Sequence, residues 1–222
     1  MKKRSFSRLF PATLLFLATL FSASVAHADY LWIERDGAAL KVRAGTLAKP
    51  LASLPALLDA KAAQAGGKNL PHSTANDHYA FSPADDVDAR FSALRAEENG
   101  ILTYFEARFG RRDTQPASDL ELVPTTPGGN TFRLFFKGQP VAANRVNVET
   151  SESWRRALTS APDGTVSFMP SFPGLYVLEV SAQVNNGNVT LDGKTYKDVR
   201  YTATLSFEIP AATAGGGAHG EK

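Results

Sequence analysis

The chain has 222 residues, enough for one or two domains, and its 43% hydrophobic and 21% charged content is typical of a folded globular protein. This composition excludes a disordered chain, a collagen-like repeat and a polytopic membrane protein. Residues 1–28 contain four of the 24 basic residues and no acidic ones, which leaves 20 basic against 22 acidic residues in the remainder. Nucleic acid is therefore not an expected partner, because phosphate binding needs a concentrated basic surface.

Residues 1–28 have the order of segments that is typical of a secretory signal peptide. Basic MKKRSFSR precedes the apolar run LFPATLLFLATLF, and the small residues SASVAHA follow. Cleavage after Ala28 would leave Asp29 first, whereas the alternative cut after Ala26 would leave His27 first. We expect a periplasmic or secreted protein. Since no second long apolar run follows, we expect no membrane span in the mature chain.

Catalytic signatures are missing from the chain. It contains no cysteine, which excludes thiolate nucleophiles and cysteine-ligated zinc sites. It also lacks the G-x-S-x-G, H-E-x-x-H and glycine-rich phosphate-loop motifs. We therefore expect a protein that is not an enzyme.

The first segment after the leader is a predicted β-hairpin. Residues 30–34 are aromatic or β-branched, residues 39–43 alternate apolar with polar side chains, and Asp36-Gly37 lies between them. An Asp-Gly pair between two such segments is a strong signal for a hairpin turn. We expect two antiparallel strands here.

The rest of residues 29–118 is predicted to complete an N-terminal β-rich domain with one or two short helices. Ser53 is a suitable N-cap, residues 54–65 are rich in Ala and Leu, and two glycines follow, so this segment favours a short helix. Residues 88–97 are interpreted as a helical turn or a long excursion. Two further segments favour strands: 78–81 and 101–109.

Residues 119–210 are predicted to form a C-terminal β-sandwich domain, so the fold class is all-β. Seven short segments rich in β-forming residues are separated by Pro-Gly-Gly, Gly-Gln-Pro, Pro-Asp-Gly, Pro-Gly and Asn-Asn-Gly turns. Short strands with this turn chemistry favour a sandwich.

The two-residue period of a strand predicts which side chains of this sandwich form its core. Phe132 and Leu134 share one face, as do Tyr176 and Leu178. The period ends before residues 211–222, which are rich in Gly and Ala and are predicted to be a disordered tail.

Residues 137–180 carry the pattern G-x-P-V, then D-G with a following Phe, then P-G-x-Y, and this resembles a transthyretin-like or carboxypeptidase-regulatory-like module. Together with LWIE after the leader and LELVP at 120–124, the chain is similar to the DUF4198 family of bacterial periplasmic proteins. The resemblance implies two β-rich parts, the second an Ig-like or transthyretin-like sandwich. It also implies a role in nickel or cobalt uptake, with an envelope transporter as partner. That family often has a histidine at the processed N-terminus, where this chain has Asp29.

Metal-ligand candidates are few. His72 and His78 flank a polar loop that includes Asp77, and imidazole with carboxylate suits nickel, zinc or copper(II). With cleavage after Ala26, the terminal amine and imidazole of His27 would form a chelate that favours copper. The metal hypothesis is reversible capture of a divalent ion by either donor set.

The alternative hypothesis is a metal-independent envelope module that binds a protein partner through sandwich loops. Trp154, Arg155 and Arg156 lie in a predicted loop, where an exposed indole beside two guanidinium groups would stack on a ligand or partner. The other interpretation of Trp154 is that it folds back over the sandwich edge. Polysaccharide binding is a third option that depends on fold analogy alone.

Overall fold

The computed structural model describes residues 29–84, 87–143 and 145–211. Over these ranges the protein is all-β, with no helix, which confirms the predicted fold class. The predicted leader at 1–28, including His27, and the tail beyond residue 211 lie outside the described residues. Within these ranges no helix has the length and apolar character needed to cross a membrane.

The described part of the chain forms strands that range from two to eighteen residues. In chain order they are β1 Tyr30–Asp36, β2 Ala39–Thr46, β3 Lys49–Pro50, β4 Leu58–Gln64, β5 Lys68–Leu70, β6 His72–Thr74, β7 Tyr79–Phe81, β8 Ala89–Ala96, β9 Ile101–Phe109, β10 Leu120–Pro124, β11 Thr131–Phe136, β12 Gln139–Pro140, β13 Val146–Thr150, β14 Arg155–Leu158, β15 Thr165–Ser167, β16 Gly174–Leu191 and β17 Lys194–Ile209.

The strands form three sheets. The N-terminal sheet has the order β1-β2-β7-β6, with β3 paired to β2, and the C-terminal sheet has the order β10-β11-β12, with β15 paired to β11. Between them lies the central sheet, with the order β14-β13-β16-β17-β9-β8-β4-β5. Each of the two predicted parts of the chain supplies four strands to the central sheet, so the parts share it.

The central sheet has a core on each face. On β9, Phe105 and Ala107 pack with β1, β2 and β7, whereas Tyr104, one residue earlier, packs on the side of the C-terminal sheet. On β17, Leu205 and Phe207 join the C-terminal core, and the alternate residues face the N-terminal sheet. The period of two along each strand therefore builds three layers.

The helix predicted over 54–65 is wrong. Residues 58–64 are β4, which pairs with β8 on one side and β5 on the other. Ala62 is buried while Lys61 is exposed, so the segment alternates as a strand does. Gly66 and Gly67 both have positive φ, at 86° and 81°, and they turn the β4–β5 hairpin instead of ending a helix. Tertiary pairing overrides the helical propensity of Ala and Leu.

The helical turn or long excursion over 88–97 is also wrong. Residues 89–96 form β8, which pairs antiparallel with β9 along its whole length. Ala89, Phe91 and Ala93 alternate into the core beneath the N-terminal sheet. Burial of every second residue is the pattern of a strand and differs from the pattern of a helix.

The predicted Asn-Asn-Gly turn at 185–187 is a β-bulge. β16 continues through it with a register shift between Asn185 and Val189, and Asn188 has φ 45°. The chain reverses later, at Asp192 and Gly193, where both φ angles are positive. Two candidate strands therefore merge into one long strand.

Several local predictions are confirmed. β1 and β2 form the expected hairpin, with Asp36 paired to Ala39. Phe132 and Leu134 are buried in the C-terminal core together with Tyr176 and Leu178.

Candidate partner-binding site

The β6–β7 hairpin separates the two histidines that the metal hypothesis joined. His72 pairs with Phe81, and the Ala75 N–H donates to the His78 carbonyl at the turn. Cross-strand partners share a face and neighbours alternate, so His72 and His78 point to opposite faces. The His72 ring lies edge-on to Tyr79, with 5.6 Å between the ring centroids. That geometry is typical of an aromatic packing contact.

Asp77 is bound on both oxygens. His78 Nδ1 is 2.7 Å from Oδ1, and Arg43 Nη1 donates to Oδ2 at 2.7 Å. These contacts with His78 and Arg43 lower the pKa of Asp77 to about 2. No group of three or more His, Asp or Glu side chains suited to a metal occurs among the described residues.

Trp154 folds back over the sandwich edge, one of the two interpretations of its sequence. Its ring meets Phe172 edge-on at 6.1 Å, and it packs against the C-terminal core. The Thr150 N–H donates to the Trp154 carbonyl at 3.0 Å, and Thr150 Oγ1 accepts from the Trp154 N–H at 3.1 Å. These bonds close the hairpin that places Arg155 and Arg156 on β14.

β14 is an outer edge of the central sheet. Thr150 and Trp154 form a hydrogen-bonded pair, so the next pair, Glu149 with Arg155, directs its main-chain groups outward, and alternation continues along the ladder. The N–H and C=O groups of Arg155 and Ala157 therefore face away from β13. They point to the open side of the sheet.

An arginine-lined depression of about 250 Å³ lies on β13 and β14. We call it the β14 site, and its lining residues are Arg145, Asn147, Val148, Glu149, Arg155, Arg156 and Ala157. Arg155 is half exposed, and its Nε lies 3.5 Å from Glu149 Oε1. Arg145 donates from Nε to Asn147 Oδ1 at 2.7 Å. Within the described ranges Arg156 makes no ion pair, so at least one guanidinium of the β14 site has no carboxylate partner.

Buried acids lie on the face of the central sheet that carries Arg155, whereas its neighbour Arg156 is on the opposite face with Val148. The Tyr30 hydroxyl donates to Glu149 Oε2 at 2.9 Å, and Asn147 Nδ2 donates to Glu179 Oε2 at 2.6 Å. Burial, together with the charges of Glu149 and Glu179, raises the pKa of Tyr30, so its hydroxyl stays protonated as a donor. Hydrogen bonds therefore connect β13, which carries one side of the β14 site, to β1 through Tyr30 and to β16 through Glu179.

No family model matches the chain, and no curated protein matches it either. The DUF4198 resemblance, the periplasmic location and the nickel or cobalt role thus stay predictions from the sequence.

Sequence reasoning found Arg155 and Arg156 but missed Arg145, Asn147 and Glu149. The signal was the alternation of these three polar residues with Val146 and Val148, which marks a strand with one polar face. Nothing local could show that Glu149 is buried, because its partner Tyr30 lies 119 positions away.

A second depression, of about 210 Å³, contains a partly buried acid that sequence reasoning also missed. Glu106 on β9 accepts hydrogen bonds from the main-chain N–H groups of Asp119 and Leu120, at 3.0 and 2.6 Å. Burial raises the pKa of Glu106 to about 7, although the two N–H donors oppose the rise. Tyr104 also lines this depression and stacks on Tyr201 at 4.8 Å. Here the carboxylate attaches the start of β10 to the central sheet.

Proposed function

We propose that this protein is a non-enzymatic, metal-independent binding module of the cell envelope, and that it captures an extended acidic segment of a partner protein on β14. The observation that carries the proposal is an open strand edge that coincides with the β14 site. Main-chain groups on the edge supply affinity in strand addition, and side-chain contacts supply specificity.

The charge of the β14 site selects the partner. Arg145, Arg155 and Arg156 line the β14 site, whose single acidic lining residue, Glu149, is buried. Guanidinium groups bind carboxylates through planar, paired hydrogen bonds. An acidic strand therefore fits where a basic strand would be repelled.

The first test measures the fluorescence anisotropy of a short labelled peptide of alternating Glu and Val, with a Lys-Val peptide as the control ligand. Reversing the charge of both Arg155 and Arg156 to Glu should weaken binding of the acidic peptide by at least about tenfold. Arg133→Glu, on the far side of the C-terminal sheet, is the matched control, because its side chain is also exposed and ion-paired. Equal binding of the two peptides, or an equal loss in the control variant, would contradict the proposal.

A second pair of variants tests strand addition itself. Ala157→Pro removes an N–H that points to the open edge, where proline is tolerated. Loss of that hydrogen bond should weaken peptide binding by about two- to tenfold. Ala157→Gly retains the N–H and should bind normally. If both variants bind the peptide alike, the partner does not pair with β14, and a side-chain contact alone would have to account for binding.

A further inference from the structure

The central sheet extends beyond the C-terminal sheet, and the depression that contains Glu106 lies at this step. β10, an edge of the C-terminal sheet, packs on β17 and β9. The depression, of about 210 Å³, continues from β9 over β8 and β4, and Asp119 lines it on the side of β10. We call it the Tyr104 site.

One part of the Tyr104 site is apolar. Tyr104 stacks on Tyr201 of β17, with 4.8 Å between the ring centroids and 15° between the ring planes. Leu94 is the cross-strand partner of Tyr104 on β8, so it lies beside the ring on the side away from Tyr201. Tyr104 and Leu94 both line the depression and are only partly buried. Because the stack on Tyr201 holds the ring in place, the two side chains offer a pre-formed apolar surface to a ligand.

A β-bulge in β4 shapes the polar part of the site. The register of β4 against β8 shifts between Leu58 and Lys61, and Asp59 has φ 56°. Bulges re-aim side chains and are frequent next to functional sites. Ala60 packs against the core beneath the N-terminal sheet, whereas Asp59 and Lys61 line the depression on the other face of β4. Their charged atoms are 3.4 Å apart, and both side chains are largely exposed.

The polar groups of the Tyr104 site suit hydroxyl groups better than an ion. A hydroxyl both donates and accepts, so it can bond to the ammonium of Lys61, the hydroxyl of Ser92 and the carboxylate of Asp59 alike. A bare ammonium ligand would be repelled by Lys61. A bare anion would be repelled by Asp59, Glu106 and Asp119, which also line the site. A neutral ligand with several hydroxyl groups and one apolar face therefore fits both parts of the depression.

We propose that the Tyr104 site binds a pyranose ring of a neutral saccharide. The C–H face of the sugar packs on Tyr104 and Leu94, as in other sites where an apolar surface is combined with a few placed polar groups. The hydroxyl groups at the rim of the sugar bond to Asp59, Lys61 and Asp119. This site is separate from the β14 site, because β14 is one outer edge of the central sheet and β4 lies next to the other.

Isothermal titration calorimetry with cellotetraose and with chitotetraose tests the site, and spermidine is the cationic control ligand. Lys61→Ala removes an exposed donor without changing the core, and it should weaken binding of the preferred saccharide by about three- to tenfold. Arg133→Ala is the matched control, because Arg133 also forms an exposed ion pair, with 3.4 Å to Asp163.

A second pair of variants tests the aromatic surface. Tyr104→Phe retains the ring and its stack on Tyr201, so it should bind the saccharide almost as tightly as the unmodified protein. Tyr104→Leu removes the ring and should weaken binding by about tenfold or more. Circular dichroism checks that Tyr104→Leu is folded, and Lys61→Ala provides a test that does not disturb the packing on Tyr201.

Backbone amide NMR locates the bound saccharide independently of mutation. The amide signals of Ser92 and Asp119 should shift on titration, while that of Gly37, in the β1–β2 turn, should not. Binding of either saccharide with these shifts, and its loss in Lys61→Ala and Tyr104→Leu, supports the proposal. If neither saccharide binds, if Arg133→Ala is weakened as much as Lys61→Ala, or if spermidine binds more tightly than both saccharides, the depression is not a saccharide site. None of these results depends on the peptide-binding experiments.

Discussion

Arginine side chains occupy two kinds of environment in this molecule, a buried ion-pair network and the exposed β14 site. Arg90 and Arg108 are cross-strand partners on β8 and β9, and both are buried. Each of the three side-chain nitrogens of Arg108 donates to a protein oxygen, on Asp88, Glu121, Asp113 and Gly110. Arg145 and Arg156 of the β14 site are instead open to solvent.

The two environments differ in how many of the guanidinium donors already have protein partners. Two like charges that face each other across a ladder would repel, and Glu121 offsets this by accepting from Arg90 at 2.7 Å and from Arg108 at 3.0 Å. That network attaches residues 110–119 to the central sheet and uses each side-chain nitrogen of Arg108. Arg156 of the β14 site, in contrast, makes no ion pair among the described residues.

The largest loss of stability is expected when the buried charge of Arg108 is removed. Arg108→Met keeps much of the apolar stem but leaves Asp88 and Glu121 without their shared cation. Unfolding in urea should show a loss of about 3–5 kcal/mol, the usual cost of breaking a buried pair. Arg133→Met, which breaks an exposed pair with Asp163, should cost less than about 1 kcal/mol. Similar losses of unfolding free energy in the two variants would show that the buried and exposed arginines contribute equally to stability.

Glu106 extends the comparison to a partly buried acid that has no ion pair among the described residues. Its folded pKa of about 7 lies above the ordinary glutamate pKa of 4.5, so between these pH values the folded state binds more protons than the unfolded state. Stability should therefore fall as pH rises through this window, by at most about 3 kcal/mol. Urea unfolding at several pH values between 5 and 8 measures the slope. Glu106→Gln should flatten it, and an unchanged slope would assign the pH dependence to another group.

Gly110 tests how tightly the buried network is packed. It has φ 102°, and an added Cβ would lie 2.1 Å from Asp88 Oδ1. Gly37 has φ 61° with no atom within 4 Å of the same position, which makes it a matched control. Thermal unfolding should show Gly110→Ala to be less stable than Gly37→Ala by about 1–3 kcal/mol. Equal losses would mean that the positive φ alone destabilises the alanine variants and that the contact with Asp88 adds nothing.

The smallest effect on stability should come from the β14 site. Arg156→Gln removes an exposed guanidinium and should change the unfolding free energy by less than about 0.5 kcal/mol. The same variant should weaken binding of the acidic peptide. A clear loss of stability in urea would place Arg156 in the structural class with Arg108.

The sequence predicted those parts of the fold that depend on local alternation. Phe132 and Leu134 lie two positions apart, as do Tyr176 and Leu178, so the spacing alone predicts that each pair shares a buried face of its strand. β4 could not be predicted, because its Ala-rich segment has helical propensity and only its pairing with β8 makes it a strand.

The candidate site was predictable to a smaller extent. His72 and His78 would share a face in a continuous strand, since they are six positions apart, but the intervening turn reverses this relation. Arg155 and Arg156 were found as a charged pair beside an aromatic residue. Their backing layer depends on contacts between β1 and β13 that no local pattern contains.

The parallel pairing of β9 with β17 has a kinetic consequence. Asp198 pairs with Ile101 and Ser206 with Phe109, so the middle of the central sheet joins segments almost one hundred positions apart. Such non-local contacts raise the contact order and slow folding. The last strand must be synthesised before the sheet can close. A chain with the leader predicted for residues 1–28 would thus remain unfolded, and able to thread through a translocation channel, until translation is nearly complete.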